Sequence, residues 1–346
     1  MDAEMMGVIY NQYYSLSDEN NPDYKLNSIG WNNSFTGEPY TAEEMSEWRD
    51  NTLEIIRNLQ PQKVLEVACG TGMMAFGLLE HVSYYMGIDV AEEGIKYIQK
   101  HLSKEEAEKS DFAAMQAAEI DTITEHDFDV AFINSATQYM GPEEGFLQII
   151  KKMTKKVRHG GKIFLGDMKA KTLRELFYKT ILLWNGSVEG LEEKLRRKEK
   201  RDYEFYIDKC YLDSVQEAIP RIRKIELLVK KGRCLTEMNV FRFDAILYLD
   251  EYEEVFYREF DCKNKELDDI KEIISESKNE KNFKLNNLEN ILFKRVMEEK
   301  LGESHLDTPA FYIAEICDLI KDAGFDPVVV SDGEITGRYF NIKAVR

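Results

Sequence analysis

The stretch KVLEVACGTG, residues 63–72, decides the fold of this 346-residue chain. Residues 63–67 form a short apolar run typical of a buried strand. The glycines that follow allow the backbone to turn sharply and to approach a ligand without a Cβ in the way. A helical pattern begins at Met73, and GTGMMA at residues 70–75 fits the GxGxxG/A pattern. Dinucleotide-binding enzymes use the same device, so this loop alone predicts only a nucleotide-like cofactor.

Further strands and helices alternate after the loop. Tyr84–Val90, Phe128–Asn134 and Lys162–Asp167 have strand patterns, and Glu92–Leu102 and Phe146–Val157 are helical. Such alternation predicts an α/β fold, a Rossmann-like, parallel, doubly wound sheet with helices on both faces. Two later strand patterns predict an antiparallel pair at the end of the same sheet, Ile225–Lys230 and Arg242–Leu249.

Three segments are predicted along the chain. Residues 1–60 are an N-terminal lead-in and cap helix, in which Thr41 and Glu44 have the spacing of a capping box. The first forty residues have an irregular composition, without helical or strand periodicity around Trp31–Tyr40. Residues 61–250 are the cofactor-binding core, and residues 251–346 are a charged, mostly helical appendage and C-terminal segment. Within it, residues 251–305 are expected to form a solvated helical appendage.

The composition excludes several classes of function. The net charge of −18 and the pI near 4.9 oppose binding to nucleic acid or to an anionic membrane. We expect no signal peptide at Met1–Tyr14 and no membrane-spanning stretch. The five cysteines are odd in number and scattered, which indicates reduced thiols in a cytoplasmic protein. The five histidines show no ligand spacing, so we expect no metal.

Two carboxylates favour S-adenosylmethionine over a dinucleotide as the cofactor. Glu66 lies at the end of the first strand, where a carboxylate faces a ligand's ammonium group directly or through water. Asp89 ends the second strand, about 20 residues beyond the loop, where it accepts hydrogen bonds from both ribose hydroxyls. The alternative for Asp89 is a helix-capping or turn residue.

A polar cluster, NSATQY at residues 134–139, follows the third buried strand. The carboxyl ends of strands line the ligand crevice of a doubly wound fold. We therefore expect Asn134, Gln138 and Tyr139 to meet the cofactor and the methyl acceptor. The alternative is an ordinary strand-to-helix turn.

Several stretches together resemble the N-methyltransferase domains of nonribosomal peptide synthetases, which are S-adenosylmethionine-dependent class I methyltransferases. WNNSFTGEPY at residues 31–40 is similar to that family's entry segment, and VLEVACGTG at 64–72 to its first signature. NSATQY resembles a further stretch, and residues 232–243 resemble the second signature. Residues 330–337 match the third only loosely. The resemblance implies a cofactor site formed by Glu66, Ala68, Cys69, Gly70, Gly72, Asp89, Val90, Ala118 and Asn134.

The chain departs from that family's pattern at several positions. Ala68 replaces a glycine, and Phe241 and Phe243 replace tyrosines, which puts a proton relay through phenols in doubt. Glu237 and Arg242 are retained. We predict that Glu237 orients or deprotonates the acceptor amine and that Arg242 fixes it by a charge-assisted pair. The alternative is a buried structural ion pair.

Three functions follow from these patterns. The first is N-methylation of an aminoacyl or peptidyl group held on a carrier-protein thioester, with the carrier protein and synthetase modules as partners. The second is a free-standing enzyme for O-, C- or N-methylation of a soluble small metabolite. The third is a cofactor-binding scaffold without turnover.

Overall fold

The glycine loop follows the first strand of an eleven-stranded mixed sheet. The computed structural model describes residues 3–17, 23–186, 189–301 and 310–346. The strands are β1 (Lys63–Val67), β2 (Tyr84–Asp89), β3 (Ser110–Ala114), β4 (Phe128–Asn134), β5 (Val157–Lys169), β6 (Ile222–Val229), β7 (Arg242–Leu249), β8 (Arg258–Asp261), β9 (Asn282–Glu289), β10 (Asp326–Ser331) and β11 (Tyr339–Val345).

The strand order is β3-β2-β1-β4-β5-β7-β6-β10-β11-β9-β8. Neighbouring strands from β3 to β5 are parallel, and β7 and β6 then join in antiparallel orientation. This arrangement confirms the Rossmann-like fold and the antiparallel pair β6 and β7. Contrary to the prediction, the pair does not end the sheet, because β10, β11, β9 and β8 continue it. The edge strand β3 was not predicted, because its partly exposed sequence SDFAA lacks the apolar run of a buried strand.

Helices cover both faces of the sheet. They are α1 (Ala3–Tyr14), α2 (Ala42–Asn58), α3 (Met73–Leu78), α4 (Glu92–His101), α5 (Lys104–Glu108), α6 (Glu143–Lys156), α7 (Arg174–Trp184), α8 (Leu191–Arg201), α9 (Lys209–Ala218), α10 (Glu237–Phe241), α11 (Leu267–Glu276), α12 (Ile291–Leu301) and α13 (Ile313–Asp322). Leu65 packs in one apolar cluster with α6, α7 and α9, whereas its neighbour Val64 packs in another with α2, α3 and α4. This alternation along β1 is the two-residue period of a strand covered on both sides.

The capping box predicted at the start of α2 is confirmed. The Thr41 side chain accepts a hydrogen bond from the Glu44 backbone at 3.2 Å, and the Glu44 carboxylate accepts one from the Thr41 backbone at 2.8 Å. The pair satisfies two backbone N–H groups that the helix itself leaves without partners.

The prediction that the first forty residues are irregular is wrong for their first part. Residues 3–14 form α1, whose Met6, Tyr10 and Tyr14 recur every four residues and lie on one face. Asn11 joins α1 to α4 by accepting a hydrogen bond from the Glu93 backbone at 2.9 Å. The Trp31–Tyr40 segment does lack helices and strands, apart from an isolated bridge between Asn32 and Pro39.

The charged segment 251–305 is more than a solvated helical appendage. Besides α11 and α12 it contributes β8 and β9. The sheet therefore contains strands from both sides of residue 250, where the predicted core segment ends. These strands were missed because β8 is short and largely exposed and β9 reads NFKLNNLE, with little apolar periodicity. The division into three segments stays a prediction.

Few backbone hydrogen bonds connect the far end of the sheet, strands β8 to β11, to the other strands. Only Leu227 and Leu228 of β6 pair with β10, opposite Ser331 and Val330, within the residues described. Strands β8 to β11 pack with α11 and α13 around a third apolar cluster, which includes Phe283. Side chains also link the two parts, since Val330 of β10 lies in the second cluster and Val229 of β6 packs against the third. No helix in the described part of the chain is long and apolar enough to cross a bilayer.

Candidate active site

A cavity of about 470 Å³ lies at the carboxyl ends of β1, β2 and β4, with α1 forming part of its wall. It gathers nine of the thirteen predicted site residues: Glu66, Ala68, Cys69, Gly70, Asp89, Val90, Ala118, Asn134 and Tyr139. We call it the cofactor cavity. The remaining four, Gly72, Gln138, Glu237 and Arg242, lie outside its wall.

The glycine loop is built from backbone that favours glycine. Ala68, Gly70 and Gly72 have φ angles of 63°, 55° and 83°. A left-handed conformation costs a residue with a Cβ about 1–2 kcal/mol, so Ala68 is strained at a position whose backbone favours glycine. Gly72 begins α3 rather than facing the cavity, and a Cβ there would lie 2.8 Å from Ile98. Its role is therefore close packing.

Asp89 holds the loop in place from the end of β2. Its carboxylate accepts hydrogen bonds from the Gly70 backbone and from the Ala91 backbone, both at 2.8 Å. The residue is thus a turn residue, as in the alternative interpretation, and it also lines the cavity. Each carboxylate oxygen has a further lone pair, so the same group remains able to accept from a ligand.

Glu66 is buried in the floor of the cavity, and its carboxylate accepts a short hydrogen bond from the Tyr85 hydroxyl. Burial raises the pKa of Glu66 to about 8, and the charge of Asp89 adds to the effect, whereas the Tyr85 hydrogen bond opposes it. A carboxyl group of this kind gains most from a cationic ligand, which stabilises the ionised form.

Asn134 ends β4 beside the cavity. Its Oδ1 is buried and has no hydrogen-bond partner among the described residues. Gly166 makes room for this side chain, since a Cβ at that position would lie 2.1 Å from the Asn134 Oδ1. A buried acceptor without a partner is costly, so a ligand that donates a hydrogen bond here would remove that cost.

Glu237 and Arg242 belong to a buried ion-pair network behind the cavity wall. Arg242 donates to Asp167 at 2.6 Å, to the Ser135 hydroxyl at 3.2 Å and, by a short contact, to Glu237. Ser135 itself lines the cavity and donates to Asp167 at 2.8 Å. This placement favours the buried ion pair over direct contact between Glu237 and an acceptor.

Strands β6 and β7 extend the network. Lys230 donates to Asp244 at 2.9 Å and lies 3.5 Å from Asp167. Burial alone would raise the pKa of Asp167, but the charges of Arg242 and Lys230 outweigh it and hold this pKa below its ordinary value. Burial raises the pKa of Asp244 despite its pairing with Lys230.

A second cavity, of about 660 Å³, adjoins the first. We call it the vestibule; it is lined by Met6, Ile9, Tyr10, Tyr13, Gly30, Gln138, Tyr139, Gly141, Pro142, Arg201, Asp202, Tyr203, Glu204 and Phe205. Tyr10 and Tyr139 line both cavities, and their rings meet edge to face at 6.1 Å. Gln138 therefore lies on the vestibule side of this aromatic pair.

Sequence reasoning missed the side chains that α1 contributes. Met6, Tyr10 and Tyr14 line the cofactor cavity. A Cβ added at Gly70 would lie 3.0 Å from the Tyr14 hydroxyl. Their spacing of four residues was the available signal. Trp31 and Trp48 also line the cavity and pack on each other at 4.8 Å, which no local pattern reveals.

The segments that carry the family resemblance meet in space. The Phe35 ring of the entry segment lies 6.1 Å from the Phe241 ring of the second signature. Gly337 of the third signature packs against Val240, since a Cβ added at Gly337 would lie 3.2 Å from the Val240 carbonyl oxygen. The three segments therefore support one another beside the site.

The cavity fits S-adenosylmethionine. Glycines open the loop to a close backbone approach, Asp89 and Glu66 offer carboxylates, and Asn134 offers an acceptor without a partner. Among the described residues no group of three or more His, Cys, Asp or Glu side chains is arranged to hold a metal. His305 lies outside the described residues.

The glycine loop and most of this site fall within a known family. Residues 60–208 match the family model described as a methyltransferase domain. The chain is 27% identical to chondramide synthase of Chondromyces crocatus over 65% of its own length and 6% of that protein. It is 24% identical to enniatin synthetase of Fusarium oxysporum over 80% of its length and 10% of that protein. The chain thus spans about a tenth or less of these relatives.

Solved structures with similar architecture include two methyltransferases. The N-methyltransferase NodS from Bradyrhizobium japonicum WM9 is 16% identical, with a TM-score of 0.43 over 70% of this chain and 100% of that one. Magnesium protoporphyrin IX methyltransferase from Synechocystis PCC 6803 is 9% identical, with a TM-score of 0.44 over 72% and 98%. From the family match and the cavity built on the glycine loop, residues 60–208 form a methyltransferase domain that uses S-adenosylmethionine, within a chain that is similar to nonribosomal peptide synthetases over most of its length.

Proposed function

We propose that the chain is an N-methyltransferase acting on an aminoacyl or peptidyl group carried as a carrier-protein thioester in nonribosomal peptide biosynthesis. The observation that carries the proposal is the vestibule, which meets the cofactor cavity at Tyr10 and Tyr139. A space of about 660 Å³ suits an acceptor that arrives on a long arm. The similarity of this chain to a part of each of these synthetases supports this choice of acceptor.

The bound cofactor supplies a methyl group on a positively charged sulfur, which is already an activated leaving group. The protein's task is alignment in a site shielded from water. In this proposal Asp89 accepts from the ribose hydroxyls and Glu66 faces the ammonium group of the cofactor. The backbone of Ala68, Cys69 and Gly70 borders the same ligand.

At the acceptor side, the Asn134 side chain turns from Gly166 into the cavity, where its Oδ1 accepts a hydrogen bond from the amine and so directs the amine lone pair toward the methyl group. The amine must arrive neutral, and its proton passes to water in the vestibule. Glu237 acts through Arg242, which holds Ser135 at the cavity wall. We therefore assign Glu237 and Arg242 as positioning residues, with Tyr139 and Gln138 bordering the path of the acceptor.

Transfer of label from methyl-labelled cofactor tests the proposal. The protein is incubated with an aminoacyl-loaded carrier domain, with the same amino acid free in solution, and with a short-chain thioester of that amino acid. We expect label on the nitrogen of both thioesters and little on the free amino acid. Label found only on free small molecules would instead establish a soluble-metabolite methyltransferase. Cofactor binding without any transfer would leave the scaffold function.

A further inference from the structure

Helix α8 carries positive charge on a protein that is otherwise strongly acidic. Its sequence, LEEKLRRKEKR, contains six basic and three acidic residues, in a chain of net charge −18. Five of the basic side chains are exposed, and we call them the basic rim: Lys194, Arg196, Arg197, Lys200 and Arg201. The surrounding surface therefore changes sign at this helix.

The position of α8 is fixed by its inner face. Leu195 is buried in the core, and Arg174 of α7 donates to the Glu199 carbonyl at 2.9 Å. The acidic residues that follow the helix turn inward, since Asp202 pairs with Arg174 and Glu204 with Lys169. Those carboxylates are engaged within the protein and do not cancel the charge of the rim. Within the rim, Arg197 pairs with the exposed Glu193 of the same helix, and the six basic and three acidic residues of α8 leave it net positive.

The rim reaches the mouth of the vestibule. Arg201, the last residue of α8, lines the vestibule, and Tyr203 beside it is 80% exposed. Tyr13 of α1 lines the same cavity and is 45% exposed. A charged surface with exposed aromatic side chains next to it has the composition of a protein-binding site.

We propose that the basic rim docks an acidic carrier protein, so that the carrier's acceptor arm enters the vestibule beside Tyr203; the inference rests on the proposed function. Charge complementarity identifies the partner. The net charge of −18 repels an acidic protein over most of the surface, whereas the rim attracts it and places it at the vestibule. Nucleic acid also carries negative charge, and the test below distinguishes its binding from that of a carrier protein.

The test compares two variants with the same loss of charge. The rim variant combines Lys194→Gln, Arg196→Gln and Lys200→Gln. The control combines Lys263→Gln, Lys278→Gln and Lys281→Gln, three exposed lysines near β8 and β9 at the far edge of the sheet. Binding of an acidic, aminoacyl-loaded carrier domain is titrated calorimetrically, and methylation of the short-chain thioester is measured in parallel.

We expect the rim variant to bind the carrier roughly tenfold more weakly at about 50 mM salt, with a smaller difference at about 300 mM. The control variant should bind as the wild type does. Both variants should keep full cofactor affinity and full activity on the short-chain thioester, because neither change touches the two cavities.

Equal carrier binding by the wild type and the rim variant would overturn the docking inference, as would equal weakening in both variants. Loss of single-stranded RNA binding in the rim variant, with carrier binding intact, would point to nucleic acid instead and also overturn it. Failure of the proposed function looks different. In that case the wild type methylates neither the carrier-bound nor the short-chain thioester.

Discussion

Glu66 ties cofactor binding to pH. Because burial raises its pKa to about 8, Glu66 carries a proton near neutral pH and must lose it before it can face the ammonium group as a carboxylate. Affinity should therefore rise with pH, by up to about tenfold per unit below pH 8, and level off above it. Calorimetric titration of S-adenosylmethionine between about pH 6 and pH 9 measures this dependence.

Glu66→Gln provides the control, because it keeps the shape of the side chain and removes the titration. The variant should bind more weakly at high pH and show only the pH dependence of the ligand itself. Parallel profiles for the two proteins would show that Glu66 does not meet the ammonium group.

Glu237 permits a prediction that separates positioning from proton transfer. Glu237→Gln should lower kcat roughly tenfold, through misplacement of Arg242 and Ser135, with cofactor affinity unchanged. The acidic limb of the kcat–pH profile should persist, since Glu237 takes no proton in the proposed mechanism. Glu289→Gln, at another buried glutamate paired with an arginine, should leave kcat unaltered.

Disappearance of the acidic limb in Glu237→Gln would make Glu237 the general base, and an undiminished rate would remove it from the mechanism. The sequence motif identified Glu237 but did not predict that it lies behind the wall of the cofactor cavity. Its motif places Glu237 and Arg242 near each other along the chain. That Ser135 stands between them and the cavity depends on how β4, β5 and β7 lie together.

At the scale of elements, the packing of α4 against the glycine loop sets the shape of the cofactor cavity. A Cβ added at Gly94 would lie 2.5 Å from the Gly70 carbonyl, so Gly94→Ala must displace the loop. We expect cofactor affinity to fall by about tenfold or more, since a shift near 1 Å in a positioning element has effects of this size.

Gly145→Ala is the matched control. Gly145 is also the third residue of a helix, α6, but its added Cβ would have no neighbour nearer than 3.5 Å. This variant should bind the cofactor normally and gain about 0.5–1 kcal/mol of stability from helix propensity. Normal binding by Gly94→Ala, with an intact fold by circular dichroism, would contradict the packing argument.

The ion-pair network joins β5, β6, β7 and α10, and its removal should weaken their association. Arg242→Met leaves the buried carboxylate of Glu237 without its cation and Asp167 with Lys230 alone, which should cost about 3–5 kcal/mol of unfolding free energy. Arg258→Met breaks an exposed pair with Glu280 and should cost less than about 1 kcal/mol. Urea denaturation measures both.

The same comparison has a definite pH dependence. The depressed pKa of Asp167 stabilises the wild type above the ordinary carboxyl pKa, and this stabilisation is lost as the pH falls through the depressed value. Without Arg242 that contribution is smaller, so the stability gap between wild type and Arg242→Met should narrow on acidification. A gap that is constant with pH would argue against the pairing.

Elements differ in how well sequence patterns foretell them. The central strands β1 and β4 were predicted because both faces are buried and most of their residues are apolar. Helix α1 was missed because its short segment mixes tyrosine, asparagine and glycine, and its apolar face has meaning only against α4 and the cavity. Tertiary contacts of this kind leave little trace in local composition.

On the scale of the whole molecule, the sheet has two parts of unequal size. We call strands β1 to β7 with their helices the first assembly, and strands β8 to β11 with α11 and α13 the second. Strands β1 to β7 pack mainly in the first two apolar clusters and carry the cofactor cavity, whereas most apolar residues of β8 to β11 pack in the third; Val330 of β10 belongs to the second. The sequence predicted the first assembly because its alternating strands and helices follow a general rule. In the second, the apolar runs at Pro327–Val330 and Tyr339–Val345 predict strands that the structure has as β10 and β11. Strands β8 and β9 were missed, because β8 is short and largely exposed and β9 has little apolar periodicity.

From the short ladder between β6 and β10 we predict that the two assemblies lose structure separately. Native-state hydrogen–deuterium exchange should show the amides of β9 and β11 opening together, at a lower free energy than those of β1 and β4. Exchange of all four strands at one common free energy would contradict this expectation. A molecule that opens in this way can relax at its far edge while the cofactor remains bound, so ligand should protect the first assembly more than the second.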